Sequence, residues 1–358
     1  MTAGCPLSVV VVSWNGAHLL PTCLDALRRQ SLDPGRYELW VVDNASTDGT
    51  RALLAERYPQ VRVVANERNE GFAGGCNSAL RLITTPYAVL VNNDAIAEPD
   101  FLATLLAAAE REPDAAALTA KVLLRPRFVQ VRQAEPDEPA IRLADGTLAR
   151  PLASGEDRAD AFDVVNSTGN EIRRDGNGQD RGWLTPDAPP PAAPDVFGFC
   201  GAAALLRMDE VRAAGLFDDR FFLYYEDTDL SWRLRLRGGR IRYVAGAVVR
   251  HDHAATSGEG SALHRFYNDR NRMLTLIKCA PPGFASRAAV RSVGGILLGL
   301  RHPRRARSGT RVRAYLAVLV ALPGALRQRR AIGRTARTSR AEIARLAVAD
   351  DEPVRYRG

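Results

Sequence analysis

No two cysteines in this chain of 358 residues stand in a C-x-x-C spacing. The five present, Cys5, Cys23, Cys76, Cys200 and Cys279, are scattered and odd in number. That argues against a disulfide framework or a thiolate zinc site and favours a reducing compartment. No secretory leader is expected, because the first apolar run, residues 7–12, has strand length and neither a basic flank nor a cleavage site. The longest late apolar run, residues 314–322, falls far short of the roughly 18–20 residues of a membrane span. No G-x-G-x-x-G fingerprint follows the first strand-like run, which disfavours a dinucleotide-binding oxidoreductase. No internal repeat is present.

What remains is an ordinary globular composition, 46% hydrophobic and 25% charged, long enough for one large domain or a domain with an appendage. The net charge of +8 is unevenly placed. Residues 278–358 hold 18 basic and 4 acidic side chains, a net of +14, which leaves 31 basic and 37 acidic elsewhere, a net of −6. Apolar segments at 294–300 and 314–322 lie among the tail's arginines, a pattern suited to an anionic membrane surface rather than to nucleic acid. The plainer reading is a helical tail packed on its own domain or on a second subunit, so an oligomer stays open.

Along the first 125 residues strand and helix signals alternate. Strands are expected at 7–13, 37–43, 61–65, 87–91 and 115–122. Helices are expected at 19–30, at 51–57 behind an N-cap from Ser46, Thr47 or Asp48, at 76–83 after a glycine-rich turn, and at 99–112. Repeated units of this length predict an α/β fold, a mostly parallel central sheet flanked by helices. From about 125 to 195 the pattern dissolves into Pro, Gly, Asp and Arg, ending in PDAPPPAAP; this reads as an irregular insertion. Residues 196–207 are again strand-like. The division expected is a domain over 1–278 and a basic amphipathic helical tail over 279–358.

Four clusters fall at strand ends, where open α/β sheets place ligands. In VVDNASTDG, Asp43 ends a buried strand and could accept from the imide N–H of uracil or thymine; Asp48 is a helix cap. In NEGFAGGCN (69–77), glycines before a helix let backbone approach a ligand, and the helix N-terminus favours negative charge. In VNNDA (91–95), Asp94 could hold a hard divalent cation that neutralises a diphosphate. The fourth, FFLYYEDTDLSWRLRLRGGRIRYVAGAVVRH (221–251), is the most informative. It puts Glu226, Asp227 and Asp229 at a helix start; the helix stops at Gly238-Gly239, and a strand over 240–249 returns to His251. A helix dipole explains one of those acids and leaves two over. Carboxylates beside an imidazole suit a general base next to a metal-bound anion. His253 reads as structural, and Trp232 with the aromatic run at 221–225 reads as core and pocket wall.

Taken in order, SWNG (13–16), VVDNASTDGT, GFAGGCN, VNNDA, FCGAAALLR and FFLYYEDTDLSWRLR resemble the family 2 inverting glycosyltransferases of GT-A fold, in particular the bacterial rhamnosyltransferase-like branch. The resemblance covers residues 7–278. It implies a nucleotide-diphospho-sugar donor, with Asp43 on the nucleobase and Asn69, Gly71 and Asn77 near ribose and diphosphate. Ser13, Asn15, Asn92 and Asn93 complete the implied donor site. Asp94 would close the metal motif with a divalent Mg or Mn, and His251 would complete it. Asp227 would be the catalytic base, supported by Glu226 and Asp229. The motif carries one carboxylate here, NND, so metal affinity should lean on the diphosphate. The segment RFYNDRNR (265–272), with Arg270 and Arg272, would face a diphosphate on a lipid-linked or other cell-envelope glycan acceptor; Trp232 is a further candidate acceptor contact. The donor best suited to the resemblance is dTDP-rhamnose, although UDP-sugars offer the same imide edge. A cytoplasmic enzyme, peripheral at the inner face of the plasma membrane, is expected. A nucleotide-sugar-binding protein without catalysis is the competing reading.

Overall fold

The computed structural model describes residues 5–133, 139–153, 155–189, 195–252, 261–301 and 308–350. The first strands are β1 (Leu7–Ser13), β2 (Tyr37–Asp43), β3 (Arg62–Ala65), β4 (Tyr87–Asn92), β5 (Ala95–Ala97) and β6 (Ala115–Leu124). Between them run α1 (Leu20–Arg28), α2 (Thr50–Arg57), α3 (Gly71–Leu80) and α4 (Phe101–Arg111). The insertion supplies β7 (Phe128–Gln130), β8 (Ile141–Arg142), β9 (Leu148–Pro151), β10 (Val165–Ser167), β11 (Asn170–Ile172) and β12 (Gly178–Asp180). Then follow β13 (Ala203–Arg207), α5 (Met208–Ala214), α6 (Glu226–Leu236), β14 (Arg240–His251), α7 (Ala262–Cys279), α8 (Pro282–Arg301), α9 (Ser308–Thr335) and α10 (Arg340–Ala344).

The main sheet has the order β3-β2-β1-β4-β13-β6-β14-β5, with β10 added on β6. β1, β2, β3, β4, β6 and β14 run in one direction, and β13, β5 and β10 run against them. The central strands are buried on both faces, as their unbroken apolar runs require. In β1, Leu7, Val9 and Val11 join a core beneath α1, α2 and α4, while Val10 joins the opposite core with α3, α5, α6 and α7. A two-faced sheet of this kind gathers its loops at the strands' carboxyl ends, and there the site lies.

Three expectations shift. The glycines at 71–75 are not a turn before a helix: they are the first turns of α3, buried against β1 and β2. Of the strand expected at 196–207, only 203–207 joins the sheet. Upstream, the backbone is claimed by side chains of α6, with Phe199 N on Ser231 Oγ at 3.2 Å and Phe197 O on Arg235 Nε at 2.6 Å. The insertion is folded rather than irregular. β7, β9 and β8 form a small sheet over a core of Phe128, Ile141, Leu143 and Leu184, and β11 pairs with β12 as a hairpin. Part of its proline-rich end, 190–194, lies outside the described residues, as does His253.

Two features of β14 matter later. After a first shift between Arg240 and Ile241 it runs parallel to β6 in continuous register from Ile241, paired with Ala117, to Val244, paired with Ala120; the next pair is Val248 with Lys121, so 245–247 bulge out. Its end pairs with β5, His251 opposite Ala95. The tail is helical and folds back on the domain. Arg329 Nη1 donates to Ile277 O and Ala280 O, both at 2.7 Å, and Arg337 N to Leu236 O at 2.7 Å. Its Phe284, Ala288, Val318, Ala325 and Ile343 enter the same core as α6 and α7. By length and composition, residues 309–335 of α9 could cross a membrane, which the short apolar run at 314–322 did not suggest; here Ala314, Val318 and Ala325 are buried against the domain.

Candidate active site

A cleft of about 580 Å³ opens at the carboxyl ends of β1, β4 and β14 and is closed by the start of α6, the hairpin β11–β12 and α7. Of the residues singled out in the sequence, it brings together Asn69, Gly71, Asn92, Asn93, Asp94, Glu226, Asp227 and His251.

Asp94 and His251 meet because β5 and β14 pair just behind them. Asp94 Oδ1 lies 3.0 Å from His251 Nε2. His251 Nδ1 faces Asn166 Oδ1 at 2.7 Å and Nε2 faces the Asn92 amide at 3.3 Å; in the tautomer with the proton on Nδ1 both are hydrogen bonds, and Nε2 and Asp94 Oδ1 then both present lone pairs. Asp94 Oδ1 is buried with no hydrogen-bond donor among the described residues. Two lone-pair atoms held this close, one on an orphaned carboxylate, suit a small divalent cation, whose neighbouring oxygen and nitrogen ligands stand about 3 Å apart. An imidazole whose other nitrogen is tied to an amide carbonyl is the usual form of a metal-binding histidine. Among the described residues no group of three or more His, Cys, Asp or Glu gathers as a metal centre, so most of a cation's ligands would come from the donor and water.

Opposite stands the start of α6. Asp227 Oδ2 accepts from Gly201 N at 3.0 Å, and its Oδ1 from Thr228 N at 2.6 Å and Thr228 Oγ1 at 3.2 Å. Burial pushes its carboxyl above the usual range, and these hydrogen bonds hold it partly back. Glu226 is buried, its Oε2 lacks a partner among the described residues, and burial together with the Asp227 charge pushes its carboxyl far higher. Both carboxyls line the cleft, and burial with mutual repulsion raises Glu226 more strongly than Asp227, so Asp227 is the more readily ionised of the two.

The other sequence candidates are turned elsewhere. Asp229 is fully buried between Lys278 Nζ at 2.6 Å and Arg233 Nε at 2.8 Å, so it is a structural ion turned away from the cleft. Trp232 lies in the core edge-on to Phe197 and Phe284 and cannot touch an acceptor. Arg272 bonds Ser292 and Tyr315 inside the tail packing, and Arg270 bonds Arg220 O and Asn271 Oδ1. RFYNDRNR does face the cleft, but through Tyr267 and Asn268, the neighbouring stripe of the helix.

On the donor side, Asp43 is buried with Arg51 Nε at 2.6 Å and Ser46 N at 3.1 Å on its oxygens; Asn44 and Trp14 form the wall there. Ser13 Oγ accepts from Asn93, and Asn15 Oδ1 accepts from Thr47 N at 2.8 Å, so both brace loops. Asn77 is buried, fixing Phe217 and Asp219. The start of α3 is not open to an anion either. Gly71 N is taken by Asn69 Oδ1, and Phe72 N and Ala73 N donate to Phe222 O at 2.7 and 3.3 Å. Gly71 is required there, since at φ +70° a Cβ would stand 2.2 Å from Phe222 O.

Sequence reasoning missed Asn166, which orients His251, and the walls given by Asn170 and Gly178–Asp180, because the insertion carried no periodic signal. It also missed Asn271, whose fully buried amide was hidden in a segment read for its arginines.

Residues 8–143 match the family model described as Glycosyl transferase family 2. That span holds Asp94 but ends before Asn166, Asp227 and His251, whose assignment rests on geometry. The N-acetylglucosaminyl-diphospho-decaprenol L-rhamnosyltransferase of Mycobacterium tuberculosis (strain ATCC 25618 / H37Rv) is 27% identical over 270 residues, 72% of this chain and 80% of that protein. The validoxylamine A glucosyltransferase of Streptomyces hygroscopicus subsp. limoneus is 30% identical over 105 residues, 28% of this chain and 23% of that one. Among solved structures, GalNAc-T7 with UDP, GalNAc and Mn2+ superposes with a TM-score of 0.55 at 14% identity, over 78% of this chain and 48% of that chain.

Proposed function

Since this chain is a family 2 glycosyltransferase of GT-A fold, we propose that it transfers rhamnose from dTDP-rhamnose to a hydroxyl of a lipid-linked cell-envelope glycan, with inversion. The observation that carries the reading is the pairing, across one cleft, of a cation-ready Asp94–His251 with an ionisable Asp227. The rhamnosyl donor and the diphospho-lipid acceptor are suggested by the mycobacterial relative.

Asp227 takes the proton from the acceptor hydroxyl, which attacks the anomeric carbon on the face opposite the leaving diphosphate. One displacement inverts the centre and leaves no covalent intermediate. Thr228 N and Gly201 N hold the carboxylate in place while it is charged. Asp94 and His251 would hold a Mg or Mn ion, whose positive charge offsets the negative charge of the departing diphosphate. Burial and the Asp227 charge favour the protonated form of Glu226, which adds no second charge to repel the donor.

The decisive experiment screens dTDP-rhamnose, UDP-glucose, UDP-galactose, UDP-GlcNAc and GDP-mannose with a polyprenyl-diphospho-GlcNAc acceptor, with Mg2+, Mn2+ or EDTA. Metal-dependent product from dTDP-rhamnose is expected. Product from a UDP-sugar instead would change the donor and leave the chemistry. Binding of a donor with no transfer to any acceptor would favour a binding protein.

The tail is proposed to rest on the inner face of the plasma membrane. α8 exposes Val290 and Val293, and α9 exposes Leu316, Leu319 (63%) and Val320 (84%), on a segment of net charge +14. Bare valine and leucine between arginines suit an anionic bilayer surface. In co-sedimentation, binding to phosphatidylglycerol vesicles should exceed binding to phosphatidylcholine vesicles and weaken with salt. Replacing Leu319 and Val320 with Glu should lower it roughly tenfold or more, given about 1.5–3 kcal/mol per fully buried side chain. Equal binding by that variant would leave the apolar stripe without this role.

A further inference from the structure

Just upstream of Asp227 the backbone adopts a conformation that bulky residues seldom enter. Phe222 has φ 62° and ψ −64°, and Leu223 N donates to Phe221 O at 2.7 Å, a γ-turn of the strained hand. Tyr224 and Tyr225 follow, both at φ 67°. Each such residue costs on the order of 1–3 kcal/mol and persists only where its surroundings over-determine it. The helix that presents the base starts from the last of them.

Two elements hold this strain. The start of α3 closes on Phe222 O through Phe72 N and Ala73 N. From the other side comes Asn271 on α7, fully buried, its Nδ2 2.8 Å from Phe221 O, 2.9 Å from Leu223 O and 2.9 Å from Tyr224 O. Its Oδ1 receives Arg270 Nη1 at 2.7 Å, which turns the NH₂ toward the three carbonyls. One amide thus gathers three carbonyls spread over four consecutive residues. No aliphatic side chain offers a donor there, and an aspartate would set negative charge against all three oxygens.

Resting on the reading of Asp227 as base, we propose that Asn271 is the positioning residue for that base. By clamping the turn that precedes α6, it sets where the Asp227 carboxylate stands relative to the donor. It touches no substrate, and it is absent from the cleft wall.

Asn271→Ser, which keeps one donor, and Asn271→Ala, which keeps none, test this in the full chain. A base displaced by about 1 Å is expected to lower kcat by roughly 10²-fold in the alanine variant, with serine between it and the native enzyme. Donor affinity with Mn2+, read by calorimetry, should stay unchanged, because Asp94, in the turn between β4 and β5, and His251, at the end of β14, lie outside the clamped turn. The acid limb of the kcat/KM profile should move, since the surroundings of Asp227 change. A purely structural role would lower the melting temperature while leaving kcat per folded enzyme and that limb in place, and would overturn the proposal. So would a loss of rate that follows donor affinity. Should Asn271→Ala fail to fold, the serine variant reads the same quantities. Asp227→Asn, measured alongside, separates the premises: if it keeps turnover, the base lies elsewhere. If it loses turnover while the Asn271 variants do not, only the positioning role falls.

Discussion

Asp227→Asn should lose turnover by roughly 10²–10⁴-fold, the usual worth of a positioned general base, with nucleotide and metal affinity nearly intact. The amide keeps the shape of the carboxylate and one acceptor for Gly201 N or Thr228 N, yet it cannot take the acceptor's proton. Glu226→Gln should cost far less, because an amide resembles the protonated acid that burial favours. The opposite ranking would make Glu226 the base. The pH profile offers a second reading. Burial raises the Asp227 carboxyl, and its active form is the deprotonated one. The acid limb of kcat/KM should therefore lie above the ordinary aspartate value of about 3.9, with activity rising with pH through it and lost below. In Asp227→Asn that limb should vanish.

Lys278→Met should be the most destabilising single change on the ion network behind the site. Lys278 is one of two lysines in the chain, is 1% exposed, and bonds Asp218 at 2.8 Å and Asp229 at 2.6 Å. Removing it takes one charged donor from each of two interior carboxylates and leaves them Arg220 and Arg233 alone, at a cost of about 3–5 kcal/mol, read as a shift in a denaturant melt. The sign with pH is fixed by Asp218. Burial pushes its carboxyl up, but Arg220 and Lys278 outweigh this and hold it well below the ordinary carboxylate range. Its contribution is thus fully present above about pH 4 and is lost as pH falls through the depressed native value. Without the lysine that value rises, so the gap between variant and native protein should narrow in acid. A melt unchanged by Lys278→Met would mean that water already solvates the pair.

Strands β1, β2 and β4 were legible because they are buried on both sides and stop at polar residues. The bounds expected for the first two strands are those observed, 7–13 and 37–43. Residue identity at the cleft was legible where strand order alone decides it, as at Asp94, and at the start of α6. It failed where the deciding fact is which way a helix is turned. Asp229 and Trp232 share α6 with Asp227 but lie on its buried face. Arg270 and Arg272 share α7 with Tyr267 but lie off its cleft stripe. The small apolar content of residues 125–195 concealed a folded lobe, since its strands have two to four residues and its core only a few side chains.

The bulge at 245–247 in β14 implies an uneven tolerance to changes of length along one strand. Residues inserted or removed at 245–246 change the slack between Val244 and Val248 while Ala247 stays in the core, and the pairs that follow keep their partners. Beyond it there is no slack: a single deletion at 248–250 would step His251 out of its pairing with Ala95 and turn its ring to the other face of the sheet. Homologous chains and engineered ones should therefore vary in length at the bulge and keep a fixed count from Val248 to the histidine.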